Sequence, residues 1–276
     1  MKARVLSGVL MLIPAVYLIG WSPQWLFFVV LVVLVTRALY EYFLIARQAG
    51  FASLEWLGYA GGLAMCSAEW AAFPKALHLE LYLAVLSMVL VLLLALCFAR
   101  DLRQYLGMVS TTLFGMLYVG FTLSCVMPIR FSNWASAPGS GRHMTFFLFV
   151  VLWAGDIFAY FVGLTAGRRA IFPVISPKKT LEGALGGLAG SLVCGWAYAR
   201  WFWQTADSKT VLPIALLVAL AGQAGDLVES ALKRSAHLKD SGSLLPGHGG
   251  LLDRLDSLLL GAPVLWLALS IKEWVR

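Results

Sequence analysis

The 276-residue chain is 61% hydrophobic and only 13% charged, with a net charge of +7. Water-soluble domains are about 25% charged, so this composition excludes an ordinary soluble globule and describes a protein that crosses a bilayer several times. It also excludes a nucleic-acid binder, because the cations sit mostly in short loops at the ends of apolar runs rather than in one basic arm.

Crossing ~30 Å of hydrocarbon takes about 20 apolar residues. Runs of that kind fall at 5–21, 24–46, 56–73, 79–98, 106–127, 144–164, 181–203, 211–233 and 251–271, which predicts an all-α polytopic membrane protein of about nine transmembrane helices. The first run has the basic start of a signal peptide but no small-x-small cleavage site, and reads as a retained helix. Loop lysines and arginines are denser on the side that carries the N-terminus, which predicts a cytoplasmic N-terminus and an exterior C-terminus. The same count puts loops 165–180 and 234–252 in the cytoplasm. Residues 1–140 read as an N-terminal transmembrane bundle and 141–276 as the region that carries chemistry. Cys66, Cys97, Cys125 and Cys194 stand singly inside apolar runs and read as small core hydrophobes.

In chain order, the N-terminal bundle is nearly featureless apart from Arg37 and Glu41, spaced i,i+4 so that they can pair on one helix face. Residues 130–143 form a Gly/Ser/Pro-rich exterior loop. In the sixth run Asp156, Tyr160, Gly163 and Gly167 stack on one face, an acid at the head of a strip of small residues that permits close helix packing. Ser176-Pro177-Lys178-Lys179-Thr180 then precedes an apolar run. Ser is a favoured N-cap and Pro a favoured first residue, so a helix start is expected there, with free N–H groups and two lysines forming an anion site.

The eighth run carries Asp226, Glu229, Ser230 and Lys233 as one polar stripe. A charge in that setting costs at least ~2.5–3.5 kcal/mol and by default marks a functional site with partners. Pro246-Gly247-His248-Gly249-Gly250 allows a tight turn before the ninth run, in whose first turns lie Asp253 and Asp256. Acids in a first turn can also be purely structural. Brought beside Asp226, they would make a carboxylate cluster suited to Mg²⁺, which takes one or two carboxylates, waters and substrate phosphates. His248 reads as a hydrogen-bonding loop residue rather than a metal ligand.

The series Ser230-x-x-Lys233-Arg234-x4-Lys239-Asp240-x5-Pro246-Gly247-His248-Gly249-Gly250-x2-Asp253-Arg254-x-Asp256 resembles the signature of the phosphatidate cytidylyltransferases, the CDP-diacylglycerol synthases. Ser176 to Gly183 resembles a second block of that family, and Asp156 with Ala159-Tyr160 a third, although Ile157, Phe158 and Leu181 depart from its usual residues. The resemblance implies a Mg²⁺-dependent reaction, CTP plus phosphatidic acid giving CDP-diacylglycerol and pyrophosphate; a bacterial inner membrane is expected from the short N-terminus without a transit peptide. The resemblance implies as well a homodimer surrounded by membrane lipids. On that footing Asp226 and Asp253 are the leading metal ligands for one or two ions, with Asp256 and Asp156 as further candidates. Lys179, Lys239 and Arg254 would hold reacting phosphates, supported by Ser176, Lys178, Thr180, Lys233, Arg234 and His248. Two other readings stay open: a transporter, since intramembrane acids also mark ion pathways, and a related membrane enzyme that uses CTP on another lipid.

Overall fold

The computed structural model describes residues 13–71, 76–99, 101–132, 139–203, 208–242 and 249–274. His248 lies outside them. Helices dominate: after a helical stretch at 13–20 come α1 (Gln24–Gln48), α2 (Glu55–Ala71), α3 (Ala76–Phe98) and α4 (Leu102–Phe131). Then follow α5 (Ser140–Ala166), a hairpin of β1 (Ala170–Phe172) and β2 (Ser176–Thr180), α6 (Leu181–Phe202), α7 (Ser208–Ser235) and α8 (Leu252–Trp274). Among the described residues five helices, α1, α4, α5, α7 and α8, are long and apolar enough to cross a membrane. The protein is a multi-pass membrane protein.

The chain divides into two compact units, Met1–Pro128 with Leu232–Arg254, and Ile129–Ala231 with Leu255–Arg276. In the first, Leu54, Leu57, Val91, Ala95, Met108, Val109 and Met116 form a buried core. Polar ties cross it where apolar packing alone would let helices slide: Tyr42 donates to the Thr111 carbonyl at 2.9 Å, and Thr112 accepts the Leu54 N–H at 2.9 Å. In α4 the ladder loosens into a π-helical stretch, Met116–Phe121. Asp101 caps the start of α4 by accepting the Arg103 N–H at 2.9 Å.

The second unit is organised on α5 and α6, whose small residues let the two backbones meet. Ser191 donates to the Val151 carbonyl at 2.7 Å, and a Cβ added at Gly183 would stand 2.9 Å from the Ala159 carbonyl oxygen. The predicted strip of Gly163 and Gly167 therefore serves packing against the Thr180–Gly183 turn. Gln223 of α7 donates to the Ala184 carbonyl of α6 at 3.0 Å. Large apolar side chains such as Ile157, Phe161 and Leu164 remain exposed on α5, the ordinary outer surface of a helix in lipid.

One local expectation is overturned. Ser176 does not cap a helix; Ser176–Thr180 is a strand paired antiparallel with β1, in irregular register, with Ala170 opposite Thr180 and Phe172 opposite Ser176. Pairing with β1 explains the difference: the extended backbone of Ser176 suits a strand as well as an N-cap, and the ladder carries it on to Thr180, where the helix starts. The cap is Thr180, extended at φ −111° and ψ 153°, whose hydroxyl accepts the Gly183 N–H at 3.1 Å. The fold is thus all-helical except for this one hairpin among the described residues.

Candidate active site

The strand decides what the two lysines do. Successive side chains of a strand point to opposite faces, and Lys178 is exposed while Lys179 turns inward, half-buried, its Nζ 2.6 Å from Asp226 Oδ2 on α7. Asp156 of α5 lies within electrostatic reach of both. Ser230 approaches Asp226 Oδ1 only at 3.5 Å, the outer limit of a hydrogen bond. Three motifs far apart in sequence therefore meet within the second unit: Asp156, Lys179 and Asp226.

The hairpin that presents Lys179 is itself pinned. Glu182, in the first turn of α6, accepts the N–H groups of Arg168 and Arg169 at 3.0 and 3.2 Å, and the Leu181 N–H donates to the Arg169 carbonyl at 2.8 Å. An acid is favoured in a first turn on dipole grounds alone; here it also anchors the start of the hairpin. Asp256, also in this unit, receives the N–H of its neighbour Ser257 at 2.6 Å. A Cβ at Gly225 would stand 2.3 Å from the Asp256 carbonyl oxygen, so α7 and α8 meet backbone to backbone there.

A second group lies wholly in the first unit, around Asp253. Its Oδ1 pairs with Lys233, which is 9% exposed. Its Oδ2 accepts the N–H of Ser241 at 2.9 Å and of Gly250 at 2.8 Å, with the Ser241 hydroxyl at 3.0 Å. Gly249 has φ +78°, a left-handed conformation that a side chain disfavours, and a Cβ at Gly250 would stand 2.1 Å from Ser241 Oγ. The glycine-rich turn is therefore a close-fitting cradle for this carboxylate. Arg234, exposed, donates to the Leu238 carbonyl at 2.6 Å and shapes the turn after α7. Lys239 and Arg254 are exposed.

Sequence reasoning missed the deepest member of this group. Glu41 of α1 is fully buried and accepts the N–H groups of Leu251 at 3.0 Å and Leu252 at 2.8 Å, together with the Ser241 hydroxyl at 2.8 Å. The expected Arg37–Glu41 ion pair is present at 3.2 Å. A buried acid inside an apolar run was the available signal; its partners 200 residues along the chain were not legible.

As to a divalent ion, no group of three or more His, Cys, Asp or Glu side chains gathers to hold a metal among the described residues. The donor set still fits Mg²⁺. That ion uses one or two carboxylates and completes its shell with water and phosphate, and Asp226 with Asp156 supplies two carboxylates beside a lysine. Asp253 is held by three donors on Oδ2, while Oδ1 receives Lys233; a carboxylate has about four acceptor positions.

The sequence is similar to named proteins. It is 41% identical over 155 residues to the phosphatidate cytidylyltransferase of Bacillus subtilis, covering 56% of each chain. It is 38% identical over 181 residues to that of Thermotoga maritima, covering 64% of each, and 36% identical over 184 residues to that of Synechocystis, covering 57% of this chain and 61% of the relative. The chain thus spans less than two thirds of the length of these relatives. The model of the cytidylyltransferase family matches residues 2–272, nearly the whole sequence, including every residue of the two groups described above. The chain belongs to the cytidylyltransferase family.

Proposed function

We propose that this protein is a Mg²⁺-dependent phosphatidate cytidylyltransferase, converting CTP and phosphatidic acid to CDP-diacylglycerol and pyrophosphate in phospholipid biosynthesis. The observation that carries the reading is the ion pair of Lys179 with Asp226, which unites two motif blocks distant in sequence beside Asp156. Family membership and the names of similar proteins support it.

In this reading a phosphate oxygen of phosphatidic acid attacks the α-phosphorus of CTP, one P–O bond forms, and the bond to pyrophosphate breaks. No general base is required, because a phosphate monoester has a second pKa near 6 and is already largely dianionic at neutral pH. The residues have to position two polyanions and offset their charge. Lys179 releases Asp226 and engages phosphate; Lys178, Lys239, Arg234 and Arg254 add positive charge, with Ser176, Thr180 and His248 as further contacts. Lys233 pairs with Asp253 and orients it. Divalent ions, when bound, would be held by Asp226 with Asp156 and Asp256 as further ligands, and by Asp253, and would supply the charge that neutralises triphosphate oxygens and polarises the phosphorus.

A cleft of about 770 Å³ in the first unit, lined by Tyr42, Phe51, Arg103, Leu106, Phe114 and Leu232, has the size and apolar walls of a small-molecule site and suits an acyl chain. The proposal includes the nine-span topology with a cytoplasmic N-terminus, an exterior C-terminus and a reaction at the cytoplasmic face of a bacterial inner membrane, and a homodimer.

Pyrophosphate release by detergent-purified protein given CTP, Mg²⁺ and phosphatidic acid tests the reaction. Turnover that needs phosphatidic acid, stops with EDTA and is lost in Asp226→Asn is the expected result. Turnover of CTP on a polyprenol or diacylglycerol instead would reassign the acceptor, and cysteine labelling that puts 234–242 outside the cell would overturn the cytoplasmic site.

A further inference from the structure

We propose that Glu41 is the positioning residue of the Asp253 cradle, so that helix α1 takes part in the reaction's geometry. The inference rests on the cytidylyltransferase reading for the role of Asp253, and on the structure alone for the linkage.

The residues around Asp253 lack the local means to hold themselves. Helix α8 starts after Leu251, whose side chain can accept no hydrogen bond, so its first N–H groups need an acceptor from elsewhere. Glu41 provides it, each carboxylate oxygen taking one backbone N–H, Leu251 on Oε1 and Leu252 on Oε2. Its Oε2 also lies 2.8 Å from Ser241 Oγ, and the same hydroxyl lies 3.0 Å from Asp253 Oδ2. One hydroxyl has one proton, so Ser241 is shared between the two carboxylates and ties the position of one to the other.

The glycines on either side fit this arrangement closely. A Cβ at Gly250 would stand 2.4 Å from Glu41 Oε2, and one at Gly242 would stand 2.8 Å from Oε1. Glu41 sits seven residues from the end of α1, about 10 Å by helical rise. Burying a carboxylate at that depth is unfavourable unless its acceptor positions are filled. Arg37, two backbone amides and a hydroxyl fill them. A simple ion pair with Arg37 would not require the contacts to 241–252. Those contacts set where Gly250 and Ser241 present their N–H groups to Asp253, and hence where Asp253 points.

The test compares wild type with Glu41→Gln, Glu41→Asp, Ser241→Ala, the Glu41→Gln/Ser241→Ala double variant and Arg37→Gln. Each is measured for kcat, KM, melting temperature and deuterium exchange of the peptide covering 249–253. In Glu41→Gln, kcat falls about 10- to 100-fold, the range for residues that orient a functional group, while KM for CTP and phosphatidic acid changes less than about threefold. Exchange at Leu251 and Leu252 accelerates. Glu41→Asp recovers part of kcat, Arg37→Gln keeps most of it, and the double variant loses no more than the worse single one, as expected for residues acting through one group.

Should Glu41→Gln fail to fold, Ser241→Ala carries the same expectation for kcat and exchange. Folded Glu41→Gln with kcat within about threefold of wild type and unchanged exchange overturns the inference, as does a kcat loss matched in Arg37→Gln and tracking melting temperature alone. Wild-type turnover on a different lipid sinks the acceptor assignment and leaves the Glu41 comparison intact on that lipid. With no turnover on any lipid the exchange measurement decides the linkage.

Discussion

Asp226 and Asp253 are both acids in apolar surroundings, but they are held in opposite ways. Asp226, partly exposed, has one strong partner, the flexible ammonium of Lys179. Asp253 sits among backbone amides, a hydroxyl and a nearly buried lysine, with a second buried carboxylate behind them. A lysine on four rotatable bonds can exchange one anion for another at small loss, whereas amides fixed by a turn and a helix start cannot move without the backbone. The first arrangement suits a group that changes partners when substrate arrives, and the second a group whose direction must not change.

That contrast can be broken by mutation. The largest effect is expected from the carboxylates: Asp226→Asn and Asp253→Asn each lower kcat by at least about 10²–10³-fold, the scale for removing a preorganised charge-stabilising group, measured as pyrophosphate release. If Asp253→Asn alone were silent, its cradle would be only a helix start. Next comes Gly250→Ala, whose new methyl meets Ser241 and Glu41. It should cost about 10²-fold in kcat, as small misplacements do. A methyl at Gly225, beside the other acid, would instead meet the backbone of Asp256 rather than a carboxylate, so the Asp226 group offers no equivalent substitution there.

Glu182→Ala should act more weakly and differently. Losing the anchor of the hairpin makes Lys179 less well placed, raising KM for CTP several-fold with kcat nearly unchanged, as read from initial rates. The smallest effect is expected from Thr112→Val, which removes the acceptor of the Leu54 N–H without touching either carboxylate. It should reduce stability by about 1 kcal/mol, seen as a lower melting temperature, and leave kcat within about twofold. A large kcat loss there would mean that the first unit's packing in general, rather than Glu41 in particular, supports the cradle.

Composition and apolar run length were enough to identify the membrane class, because burying nonpolar side chains in lipid depends on amount and spacing rather than on contacts. Asp156, Asp226 and Asp253 stood out as well, since a charge in or beside an apolar run announces itself, and Lys179 stood out in a polar block just before one. The Ser176-Pro177 signal misled because capping preference and strand pairing compete, and the pairing with Ala170–Phe172 is settled across a turn rather than at the cap. Which lysine faces the acid followed from strand alternation and could not be read from a supposed helix start.

What the sequence by itself determined is therefore the solvent this protein lives in and where charge interrupts its apolar runs. Only tertiary structure decided who holds them: Glu41 with the N–H groups of Leu251 and Leu252, and Lys179 with Asp226. The physical reason is range. Hydrophobicity and helical period act over a few residues and are written locally, whereas a buried carboxylate is satisfied by whichever donors the folded chain delivers, here from 200 residues away.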